Sequence, residues 1–133
     1  MRGADGYTEA MFTMARLDDF VPASHPLRPI RIWLNGALKR MGPVFARMYE
    51  SDAKGGRPSI APEKLIRALL LQVMYSIRSE SMLMEQISYN MLFRWFVGLA
   101  MDDVVWDHSS LWVCHRLRYA SMNQQDFETI LAR

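Results

Sequence analysis

The stretch PEKLIRALLLQVMYSIRS, Pro62 to Ser79, decides the fold. Proline at a first helical position loses no hydrogen bond, and Glu63 complements the positive end of the helix dipole. Leu65, Ile66, Leu69, Leu70, Val73, Met74 and Ile77 recur in steps of one and three, an apolar stripe broad enough to face a core. Each such side chain gains roughly 1.5–3 kcal/mol on burial before entropy is subtracted. The spacing predicts a helix to about Ser79 and makes it the core's central element.

Downstream, Ser79 and Ser81 are cap candidates for a short helix carrying Met82 to Ile87 and ending near Tyr89. Asn90 can cap the MLFRWFV stretch, and Gly98 supplies the left-handed residue that ends many helices. Ala100 to Trp106 reads as a loop. Asp107, Ser109 or Ser110 would cap a helix through Leu111, Leu117 and Arg118, and a last helix is expected over Gln125 to Leu131. Upstream, SDAKGGRPS is a loop punctuated by Gly55, Gly56 and Pro58. Ile32, Trp33, Leu38 and Met41 recur at helical spacing until Gly42 and Pro43 are expected to interrupt, with a second helical stretch over Val44 to Tyr49. Pro22, Pro26 and Pro29 mark an extended arm. No strand alternation and no repeat is sustained. The expected class is all-α: an N-terminal arm over residues 1–27, then a compact multi-helix domain over 28–133 with a helix-turn-helix-like cluster.

A chain of 133 residues, half of them apolar, has the size and composition of one folded domain. The lone Cys114 excludes an internal disulfide and a paired-cysteine metal site. The N-terminus lacks a signal peptide's apolar core, and the run Ala68 to Val73 falls far short of a membrane span. No membrane association and a cytoplasmic location are expected. The net charge of +2 hides an uneven distribution: residues 28–67 hold nine basic and three acidic side chains, while both flanking segments are net negative. A basic middle of this kind can track phosphate oxygens, or simply form a solvated face.

Two groups of residues carry the candidate chemistry. Helices over 62–79, 81–89 and 90–97 could form the helix-turn-helix-like cluster, making Arg78 and Arg94 candidate contacts to guanine or phosphate. Lys54, Arg57, Lys64 and Arg67 surround the Gly-Gly loop and the start of the next helix, where backbone amides also favour an anion. Trp33, Trp95, Trp106 and Trp112 are assigned to core packing with satisfied indole nitrogens, and the eleven methionines to gap filling. Asp102, Asp103, Asp107 and His108 have no metal-ligand spacing and are read as helix caps. His25, His115 and Cys114 lack partners for ligation or catalysis. No catalytic residue, metal or cofactor is expected.

The string GRPSIAPEKLIRALLLQVMYSIRSESMLMEQISYNMLFRWFVGLAMDDVVWDHS, Gly56 to Ser109, resembles the N-terminal domain of InsH-like transposases of the insertion sequence five family. The likeness extends upstream through MFTMARLDDFVPASHPLRPIR, Met11 to Arg31. It implies a helical domain that helps bind double-stranded DNA at the element's terminal inverted repeats, followed by an RNase-H-like domain with a DDE triad. The chain ends before such a domain, so no enzymatic activity of its own is expected. After Ser109 the sequence departs from a TFSKNRDRL-like pattern, with Ser110 to Arg118 more apolar, which suggests a frameshifted interval and weakens any DNA-reading role there. The alternative expectation is a protein-interaction fragment or relic that self-associates or pairs with full-length transposase.

Overall fold

A computed structural model describes residues 16–50 and 60–107, with only the helical backbone of 47–50. Five helices follow one another there: α1 Leu17–Phe20, α2 Leu27–Glu50, α3 Pro62–Met74, α4 Glu80–Tyr89 and α5 Met91–Val97. No strand occurs among the described residues, so the all-α expectation holds. The helices expected over 107–118 and 125–131 lie largely or wholly outside them.

The caps follow local chemistry. Pro62 opens α3, and Ser79 Oγ accepts from the Met82 amide at 3.1 Å to start α4. Asn90 serves two helices: its amide donates to the Gln86 carbonyl at the end of α4, while its Oδ1 accepts from Leu92 and Phe93 at the start of α5. Gly98 ends α5 with φ +90°, a conformation that costs glycine nothing. His25 adds a cap the sequence did not announce, its Nδ1 accepting from the Leu27 amide at 3.1 Å.

Two expectations about helix length need correcting. The helix from Pro62 stops at Met74, where Tyr75 and a left-handed Ser76 (φ 51°) turn the chain toward α4. Conversely, Gly42 and Pro43 do not interrupt α2, which runs through both. Proline crowds the β-carbon of the residue before it, and Gly42 has none to crowd. Leu34, Leu38 and Phe45 pin the helix to the core on both sides of that pair.

The most enclosed helix is α5, not α3. Five consecutive residues of α5, Phe93 to Val97, are buried, and the helix packs on α1, α3 and α4. The expected stripe of α3 is only partly right: of its residues Leu65 alone is fully buried, Ile66, Leu69, Leu70 and Ile77 are half-buried, and Val73 and Met74 are exposed, while Ala68 and Leu71, outside the stripe, are buried. Tyr75 meets Phe93 edge-on, centroids 4.9 Å apart, securing the end of α3 to α5 at about 0.5–1.5 kcal/mol beyond area burial. Residues 17–25 do not form a uniformly extended arm; α1 docks on α5 and the chain bends before α2.

Candidate nucleic-acid interface

The arginines of α2 explain how the N-terminal segment is held. Arg28 donates from Nη2 to the carbonyls of Asp18 (2.7 Å) and Val21 (2.6 Å), from Nε to that of Pro22 (3.0 Å), and from Nη1 to the Asp18 carboxylate (3.2 Å). All three guanidinium nitrogens are thus engaged in joining α1 to α2. The indole N–H of Trp95 donates to the same carboxylate at 2.8 Å, bringing α5 into the cluster. That hydrogen bond is the largest influence and, with the charge and hydrogen bond of Arg28, holds Asp18 below the usual carboxylate range against desolvation, the second-largest influence.

Arg31 lies one turn further along α2, its Cζ 4.6 Å from the centre of the Trp95 ring. Its Nε is buried and meets no acceptor. Arg67 of α3 approaches from the other side: Nε and Nη2 donate to Asn35 Oδ1 (3.1 and 2.8 Å) and Nη1 to the Val97 carbonyl (3.3 Å). Burial pulls both guanidiniums below their ordinary range; Asp18 opposes this at Arg31 more than Arg28 adds to it, while at Arg67 the repulsion of Arg31 adds to it and Glu63 opposes it. Both remain cationic at neutral pH because arginine starts so high.

The candidate contacts therefore divide. Lys54 and Arg57 lie outside the described residues. Lys64 is half-buried in the first turn of α3, and Arg78 is exposed in the turn before α4. Arg67 binds Asn35 and α5 as above. Arg94 is 8 % exposed, donating to the carbonyls of Ser88 (3.3 Å), Ala100 (2.6 Å) and Asp103 (3.1 Å). Its guanidinium ties the end of α4 to the loop after α5, inside the fold. A recognition helix needs a free face, and α5, buried through Val97, offers none.

A different basic surface emerges instead. Arg28, Arg31, Asn35 and Lys39, spaced by three and four, share one side of α2, with Arg40 exposed beside them. These residues belong to the basic middle of the sequence, but only their spacing could have singled them out. Trp33 (69 %) and Ile32 (74 %) on α2 are exposed, contrary to the core role assigned to Trp33. Trp95 does pack with its nitrogen satisfied, whereas Trp106 Nε1 is buried without an acceptor. Asp103 accepts from the Ala100 amide at 2.9 Å, as a turn-capping carboxylate should. No helix among the described residues is long and apolar enough to cross a membrane.

Taken as a class, this is a helical bundle whose most basic helix runs along its surface. The chain matches the family described as Transposase domain (DUF772) over residues 15–116, and it belongs to that family. The match starts at the docked α1 segment and runs through the stretch after Ser109 as far as Arg116, so the departure there does not end the likeness. No curated protein and no solved structure matches the chain. Membership ties the protein to transposition.

Proposed function

We propose that the chain is the DNA-binding module of an insertion-sequence transposase of the InsH-like type, recognising the terminal inverted repeats of its element. In this reading it is a part that recognises DNA, and strand cleavage and joining fall to a separate DDE domain. The observation that carries the reading is the basic side of α2, in a transposase-family chain whose 24-residue helix has Glu50 as its only acidic residue. A long cationic helix gains affinity by displacing counterions from the phosphate backbone. The working contacts are Arg31, Lys39, Arg40 and Arg78, with Lys54, Arg57 and Lys64 retained from the basic loop and the start of α3. Fluorescence anisotropy on a repeat-bearing duplex and a shuffled one, across a salt series, tests it. Tighter binding to the repeat, weakening with salt, supports recognition; equal weak binding or none removes it.

The exposed Ile32 and Trp33 favour a second reading, association with another copy or with full-length transposase. Light scattering on the purified chain, with and without Trp33→Ser, distinguishes it: a dimer that becomes a monomer on substitution supports association.

A further inference from the structure

Arg31 is the one guanidinium of the α2–α3–α5 seam whose hydrogen-bonding capacity the fold leaves unmet. Arg28 meets three carbonyls and a carboxylate, and Arg67 meets Asn35 and Val97. Arg31 stacks on Trp95, and its buried Nε has no acceptor. Asp18 attracts Arg31 through space, but its carboxylate is held by Trp95 and Arg28 and makes no hydrogen bond to Arg31. That attraction offsets part of the cost of desolvating a cation beside Arg28 and Arg67, and an anion in direct contact would offset more of it. The aromatic face fixes the guanidinium plane beforehand, and because Nε is closed to solvent the forked contact to two oxygens would be made by the two Nη groups.

The geometry points to Arg31 as an oxyanion site, with Trp95 as its platform and Arg67 as the supporting charge, that takes a backbone phosphate of the bound duplex. This rests on the DNA-binding reading above and assigns one phosphate contact within it. A phosphate there contributes affinity but no base discrimination. A purely structural arginine behaves otherwise: its removal destabilises the fold and leaves the salt dependence alone.

The test compares the full chain with Arg31→Gln and Arg31→Lys, by anisotropy on repeat-bearing and shuffled duplexes over a chloride series, with thermal midpoints recorded for each. Arg31→Gln is expected to weaken binding to both duplexes in equal proportion and to lower the log–log salt slope by about 0.9, one phosphate contact. Its midpoint should be no lower than that of the parent, and Arg31→Lys should keep the parental slope. Parental affinity and slope in Arg31→Gln overturn the proposal while DNA binding stands. Equal losses in both variants with lowered midpoints also overturn it, showing a packing role. Should the parent bind no duplex, the DNA reading fails, and inorganic phosphate decides the site by itself. A rise in midpoint with phosphate in the parent but not in Arg31→Gln keeps an oxyanion site for a free anion; no rise in either overturns it.

Discussion

The indole N–H of Trp95 and the carboxylate of Asp18 meet at 2.8 Å across 77 positions of sequence, and this contact joins the first described helix to the most enclosed one. Trp95 is 5 % exposed and carries Arg28 and Arg31 near its ring, so its truncation empties the seam as well as breaking the bond. Trp95→Ala should cost about 3–5 kcal/mol in chemical denaturation. Trp95→Phe should lose much less, and a loss equal to that of alanine would show that the bond rather than the ring secures α1.

Asp18 makes the same contact sensitive to acid. Trp95 and Arg28 favour its charged form, so its folded value lies below the ordinary 3.8. Its stabilising contribution is complete above that ordinary value and is lost as the pH falls through the lower folded one. Thermal midpoints between pH 7 and pH 2.5 should therefore fall less steeply at the acid end in Asp18→Asn than in the parent. Parallel curves would remove Asp18 from the acid response.

Arg94 supports three carbonyls from inside the fold. Arg94→Ala should destabilise by roughly 2–4 kcal/mol, because charge-assisted hydrogen bonds are lost and buried acceptors remain. DNA binding by the fraction still folded should keep the parental salt slope. A reduced slope with unchanged stability would return Arg94 to the DNA surface.

Lys39 and Arg40 are exposed on α2. Replacing both by glutamine should change stability by no more than about 0.5 kcal/mol. The salt slope should drop by up to about 0.9 for each phosphate contact removed. An unchanged slope would move the DNA surface away from the middle of α2.

Gly98 isolates a backbone effect. A β-carbon there would sit 3.6 Å from Arg67 Nη1, an ordinary contact, while φ +90° disfavours any L side chain. Gly98→Ala should cost about 1–2 kcal/mol, and Gly98→Asn less, since asparagine tolerates the left-handed region better. Equal costs would point to the contact instead.

What the sequence discloses here is what neighbours in the chain decide. Pro62, Ser79, Asn90 and Gly98 satisfy or terminate backbone groups within four residues of themselves, so their roles could be read directly. The continuity of α2 depended on how a missing β-carbon at Gly42 offsets Pro43, a balance settled by the packing of Leu38 and Phe45. Arg94 and Arg31 differ even more plainly. Both are arginines at helical positions, yet one is encircled by carbonyls from distant turns and the other is not. Only the assembled chain distinguishes a guanidinium braced by carbonyls from one stacked on a ring. Membership in a transposase family and the helical class were legible; the face that carries the charge was not.

The double duty of Asn90 has a consequence for insertions and deletions. With one residue shared between α4 and α5, the two helices have no slack, and a residue inserted in the first turn of α5 would turn the rest of that helix by about 100° relative to its cap. Such a turn would carry Arg94 away from its carbonyls and Trp95 away from Asp18 in a single step. Spacing is thus itself encoded at this junction: many side chains on the outer face of α4 can be exchanged, but the count of residues between Ser79 and Gly98 cannot.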